Sequence, residues 1–211
     1  MIHWITKHLS NYNLLHDVIE CLIAALEAKD IYTSGHSNRV ADMSYDICRS
    51  LGLSASDTDR IHIAAHLHDI GKIGIQDQVL NKKGKLLPHE WSQIERHPEI
   101  GYTILFKSKK LTNIAYIVLS HHERWDGKGY PRGLKGDSIP LGARIIAISD
   151  SIDAMTSQRP YRKAFTWDEC QAEIVVNKGA QFDPVIVDAI SQSLWTKWQK
   201  AYSEPAEKNI S

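Results

Sequence analysis

Apolar residues recur every three to four positions along most of the chain, the spacing that lines one face of an α-helix. Leu15, Val18, Ile19, Leu22, Ile23 and Leu26 predict an amphipathic first helix over 13–28. Val40, Met43, Ile47 and Leu51 repeat the pattern, and Gly52 is placed to end that helix. Ser54 and Asp57 have capping-box spacing and open a third helix, which runs through Ile61 and Leu67 to Gly71. Pro88 opens another, carrying Trp91 and Ile94. It stops around His97-Pro98, because the residue before a proline disfavours helical backbone. A further helix covers 111–121. Thr166 with Glu169 caps the next and Gly179 ends it; Asp183-Pro184 reads as cap and first turn of the last. Ile145, Ile146 and Ile148 have strand character, but the length of their segment and the Asp150–Asp153 spacing favour a helix.

The pattern therefore predicts an all-α fold, a single helical bundle over 11–198 with tails at 1–10 and 199–211. It shows no internal repeat and leaves no room for a separate sensor domain. The longest irregular stretch, 123–142, holds five glycines and two prolines. A loop of that length in a compact domain is usually functional.

Composition narrows the class. A chain of 211 residues suffices for one sizeable core. Lys+Arg and Asp+Glu balance at 25 each, so no overall field draws the protein to a polynucleotide or an anionic membrane. Phosphate recognition has to be local. No apolar run approaches the roughly 18 residues of a membrane span, and the opening residues are too mixed for a signal peptide. Cys21, Cys48 and Cys170 are isolated and lack metal-knuckle or redox spacing. A reducing cytoplasm is the expected setting.

The unusual count is histidine, 11 in all, several of them clustered. His68-Asp69, near the end of the third helix, sets an imidazole beside a carboxylate able to bridge two ions. Alone, that pair is ordinary. Its company gives it weight. His121-His122 closes an apolar helix just before the glycine-rich loop, His97 stands where two helix ends meet, and His36 follows a Ser34-Gly35 turn. Asp150 lies in an apolar segment where an unpaired carboxylate is costly to bury. Six nitrogen or oxygen ligands and a bridging carboxylate suit two first-row transition ions.

Three blocks carry a resemblance to a known family. HDIGKIGI (68–75), HHERWDGKGYPRGLKGDSIPLGARI (121–145) and SDSIDAMTSQRPYRKAF (149–165) resemble, in order, the signature segments of the HD-GYP family. That family is named for a His-Asp pair and the Gly-Tyr-Pro that stands here at 129–131. The likeness runs from about Ala28 to Val187. It implies an HD-type helical catalytic domain over 11–198, holding two, in some members three, iron or manganese ions. It implies a bacterial signalling hydrolase that opens cyclic di-GMP to linear pGpG, in some members on to GMP.

By position, the resemblance implies His36, His68, Asp69 and Asp150 around one ion, with Asp69 bridging to a second held by His97, His121 and His122. Lys72 would neutralise charge on the scissile phosphate, and Asp153 would orient substrate or nucleophile. Arg159 and Arg162 would grip phosphate or guanine. Two ions sharing a water give hydroxide at neutral pH, and in-line attack is then stabilised by the metals, Lys72 and the arginines.

The chain departs from the family at Gln76 and Lys83, where proline is common, and at Tyr32, where some members carry a glutamate that binds a third ion. A neutral phenol is a poor ligand beside imidazoles and carboxylates, so two ions per chain are expected. Asp30 stands two residues off the required place and is left out of the ligand set.

Other substrates and roles fit the same motifs: cyclic GMP-AMP, a non-catalytic module that binds GGDEF diguanylate cyclases, or a di-iron oxygenase of the wider superfamily. A homodimer is compatible with all of them. His3, His8, His16, His62, His66 and His89 fall outside the ligand set. On one continuous helix His66 and His68 would point roughly 200° apart, so His62 and His66 are expected to be structural. Asp126, Lys128 and Arg132 either solubilise the loop or serve the site. Trp125 and Tyr130 either anchor it or stack on a base, and Trp195 and Trp198 belong to the core or to a dimer face.

Overall fold

A computed structural model describes residues 17–30, 35–158 and 163–202. Helices dominate the described residues, and no β-strand forms among them. Helix α1 occupies 17–29, followed by α2 (His36–Ser50) and α3 (Ala55–His66). A 3-10 turn (Ile70–Gly74) leads into α4 (Asp77–Leu80), α5 (Pro88–Ile94), α6 (His97–Leu105) and α7 (Thr112–Ser120). After the long loop come α8 (Leu141–Thr156), α9 (Trp167–Val176), α10 (Pro184–Ala189) and α11 (Gln192–Tyr202).

The core is built around α8. Ile145, Ile146, Ile148 and Ile152 are all fully buried, each contributing about 1.5–3 kcal/mol relative to exposure. A helix apolar on more than one face must be enclosed, and α2, α3, α7 and α9 surround it. The expected caps form: Ser54 Oγ accepts from Asp57 N, and Asp183 Oδ1 from Val185 N. Thr166 and Glu169 each accept the other's backbone N–H. Gly52 takes the left-handed conformation (φ 69°) one residue past the α2 cap. No described helix is long and apolar enough to cross a membrane.

Three elements differ from the sequence expectation. First, α3 ends at His66, and Leu67–Asp69 form a turn instead of carrying the helix to Gly71. The start of α6 lies against this turn so closely that a Cβ at Gly71 would sit 1.9 Å from His97 O. Second, the expected stop at His97-Pro98 is a start. Pro98 occupies the first turn of α6, where its missing N–H leaves nothing unpaired. Third, the last helix is two, broken at Ile190–Ser191, and the second runs to Tyr202. Trp195 and Trp198 pack edge to face in the core (5.6 Å between centroids), and Trp198 Nε1 donates to Asp46 Oδ2. They are core residues, not a dimer face.

Candidate metal centre

Helix ends converge on one buried cluster. His36 is the first residue of α2, and His68-Asp69 form the turn after α3. His97 opens α6, His121-His122 follow α7, and Asp150 projects from α8. Two sets of ligand atoms lie within 4.8 Å of one another: His36, His68 and Asp69; and His97, His121 and His122. Asp69 joins the two. Its Oδ2 lies 3.7 Å from His36 Nε2 and 3.5 Å from His68 Nε2, while its Oδ1 lies 3.3 Å from His97 Nε2. Asp150 Oδ1 lies beside the first set, 3.4 Å from His36 Nε2.

Hydrogen bonding on the far side of each ring decides what faces inward. Nδ1 of His68, His97 and His121 contacts the carbonyls of Ala65, Ile94 and Val118 at 2.7, 2.7 and 2.6 Å. His36 Nδ1 contacts Asp153 Oδ2 at 2.7 Å. A carbonyl or carboxylate only accepts, so every one of these Nδ1 atoms carries the proton and donates it. With Nδ1 engaged on the far side, Nε2 of each ring is the atom that faces inward. His97 Nε2 and His121 Nε2 stand 3.1 Å apart, and His36 Nε2 and His68 Nε2 3.3 Å apart. Two imidazole nitrogens that close need a proton or a metal ion between them, since two bare lone pairs would repel. The spacing is that of two nitrogens sharing one ion through bonds of about 2.1 Å. The donor set, imidazole with carboxylate, suits first-row transition ions.

Electrostatics point the same way. Burial pushes His97, His121 and His122 below the ordinary histidine range, reinforced for His121 and His122 by neighbouring imidazoles, and His122 falls to about 3. These rings are neutral at pH 7, the form that binds metal. Burial alone would raise Asp69, but the Lys72 ammonium and the surrounding histidines hold it well below the carboxylate range. For His36, burial is outweighed by Asp153, Asp150 and Asp69, and its pKa rises. Lys72 Nζ sits 2.7 Å from Asp69 Oδ2 and 3.2 Å from Asp30 Oδ2. Those carboxylates overcome burial and keep it a cation.

Asp153 sits behind one of the imidazoles. Its carboxylate is buried and engaged by His36 and Arg39. Burial would raise its pKa, but those two hydrogen bonds hold it at about 2. Asp30, left out of the ligand set, is buried against Lys72. His62 and His66 pack edge to face (4.6 Å between centroids), with His62 also edge-on to Tyr45, apart from both ligand sets. Arg159, Arg162 and Tyr32 lie outside the described residues.

The glycine-rich loop is tied to the centre by Glu123, which sequence reasoning passed over. Its buried carboxylate accepts from Arg132 N (2.7 Å) and Leu134 N (2.9 Å). Only its place beside His121-His122 hinted at a role. Gly129 lies where a Cβ would be 2.3 Å from Arg124 N, so the loop folds back on itself there only with glycine. Tyr130 stacks on His122 with centroids 4.8 Å apart. Trp125 lies under Arg144, and Asp126 pairs with Arg124 while accepting from Lys128 N. Trp125, Tyr130 and Asp126 thus all make anchoring contacts.

An HD domain sequence profile matches residues 20–186. The chain is 44% identical over 176 residues to the cyclic di-GMP phosphodiesterase response regulator RpfG of Xanthomonas campestris, covering 82% of this chain and 47% of that protein. It is 43% identical over 179 residues to a cyclic di-GMP phosphodiesterase of Thermotoga maritima, covering 84% of this chain and 49% of the relative. A 3'3'-cGAMP-specific phosphodiesterase of Vibrio cholerae matches at 39% identity, with 85% and 36% coverage. The chain thus spans about half or less of the length of these relatives. In structure it resembles the HD domain of the Listeria monocytogenes phosphodiesterase PgpH, with TM-score 0.61, 20% identity, and 86% and 98% of the two chains covered. That likeness concerns the fold.

Proposed function

The chain belongs to the HD domain family, and from that premise we propose that it is a metal-dependent phosphodiesterase that opens cyclic di-GMP to linear pGpG. The observation that carries the reading is the pair of inward Nε2–Nε2 contacts, 3.1 and 3.3 Å, on either side of one buried carboxylate. His36, His68, Asp69 and Asp150 would hold one ion; Asp69, His97, His121 and His122 the other. Iron or manganese suits these donors. The ions would supply Lewis-acid activation of water and of the phosphoryl oxygen.

The chain's own groups do the rest. Asp69 turns one oxygen toward each ligand set and keeps the two registered. Lys72, a buried cation held by Asp69 and Asp30, offers its charge to a phosphate entering the centre. Tyr130 covers His122 and limits water on that side. Arg159 and Arg162 are assigned to the substrate on their place in the motif, where guanidinium forks match phosphate oxygens.

A second substrate, cyclic GMP-AMP, is favoured by the Vibrio cholerae relatives named for it. One experiment separates the readings. The protein is purified without oxygen, loaded with Mn²⁺ or Fe²⁺ and assayed for metal, then incubated with each cyclic dinucleotide while products are resolved by chromatography. The expected result is linear pGpG from cyclic di-GMP, abolished by chelation. Faster opening of cyclic GMP-AMP would move the assignment to the second substrate. Two bound ions with neither dinucleotide opened would refute the hydrolase.

A further inference from the structure

His36 is held differently from its partners. His68, His97 and His121 each donate to a carbonyl three residues earlier. His36 is the first residue of α2. Its Nδ1 reaches instead across the fold to Asp153 Oδ2. Asp153 is in turn gripped from the side: Arg39 Nε donates to Oδ1 at 2.5 Å and Arg39 Nη2 to Oδ2 at 3.2 Å. Ser157 Oγ lies 3.3 Å from Asp153 Oδ2 and 3.4 Å from Arg39 Nη2.

Two matched pairs create this arrangement. His36 and Arg39 are three apart on α2, Asp150 and Asp153 three apart on α8, and each pair shares a helix face. Where α2 packs on α8, His36 meets Asp150 at the centre (3.4 Å), and Arg39 meets Asp153 behind it. Gly35 makes the room. A Cβ there would lie 2.9 Å from Arg39 Nη1, and its φ of 67° suits glycine.

We infer that Arg39 is a positioning residue for one half of the centre: by locking Asp153 it fixes the tautomer and aim of His36, and so sets metal affinity on the His36–His68 side alone. The inference rests on the two-ion reading above. A buried carboxylate holds one orientation only when both oxygens are engaged, and the planar guanidinium fork engages both at once. An ammonium at the same place grips at one point. The other half draws its orientation from backbone carbonyls of α5 and α7, which Arg39 does not touch.

The test is a Mn²⁺ titration of the metal-stripped full chain, with free ion counted by electron paramagnetic resonance. In Arg39→Gln, one of the two sites should weaken on the order of 10–100-fold while the other stays unchanged. Asp153→Asn should reproduce this selectivity, and Arg39→Lys should fall between. In a His122→Gln background, which disables the opposite half, the remaining site should show the same loss when Arg39→Gln is added. Equal weakening of both sites, or of neither, would overturn the inference while leaving the two-ion reading intact. Fewer than two ions in the unmodified protein would sink both. If Arg39→Gln fails to fold, Arg39→Lys keeps the part-buried charge, and the same titration decides.

Discussion

Replacing Gly71 with alanine would put a methyl group where the structure has backbone. The new Cβ would lie 1.9 Å from His97 O, 2.5 Å from Gly101 N and 2.8 Å from His97 C. Ordinary contact begins at about 3.5 Å, so the first turn of α6 must withdraw by more than about 1 Å. None of the three atoms belongs to a side chain that can rotate away. Overpacking costs about 1–3 kcal/mol, and rigid backbone on the far side puts this case at about 3 kcal/mol or above. In a chain of this length that is a fall of roughly 6–12 °C in Tm. The same withdrawal carries His97 away from His121, whose Nε2 is 3.1 Å distant. A misplacement of about 1 Å can cost on the order of 100-fold in turnover. Thermal melts and metal analysis would be run beside Gly84→Ala, whose Cβ meets nothing within 4 Å and which should stay within about 0.5 kcal/mol of the parent. A Gly71→Ala protein that melts with that control and keeps both ions would show that the seating of α6 has been misread.

Glu123→Gln should destabilise the loop by about 1.5–3 kcal/mol, because the amide cannot accept from both Arg132 N and Leu134 N; faster backbone exchange at those two amides is the readout, and unchanged protection would count against the pin. The metal-stripped protein should lose stability as pH falls below about 6.5, since His97, His121 and His122 are depressed when folded and the unfolded chain binds protons first. The slope is at most about 1.4 kcal/mol per pH unit for each histidine. His36, raised when folded, is protonated in both states below that pH and adds nothing. Denaturant titrations between pH 4.5 and 7 test this, and a flat profile would refute neutral imidazoles. His62→Gln should keep full metal content, because that ring contacts Tyr45 and His66 and neither ligand set; loss of an ion would mean the face of α3 is misassigned.

Much of this protein is written locally. Helical periodicity, the caps at Ser54, Thr166 and Asp183, and the reading of Ile145–Ile152 as helix follow from neighbours three or four residues apart, the range a sequence reports directly. The histidines and aspartates of the centre were legible for a related reason. Metal ligation tolerates few residue types, so their identities survive reading without a fold. What the sequence did not reveal depends on contacts between distant segments. Asp153 lies on the same face of α8 as Asp150, yet only the packing of α2 puts His36 and Arg39 in its way, 117 and 114 residues distant. The same holds for Asp30 against Lys72, for Glu123 under the loop, and for Gly71, where the constraint is set by the start of α6. Periodicity says which face of a helix is buried. Only the tertiary structure decides which backbone and which charge lie against that face, because that depends on how all the helices pack at once.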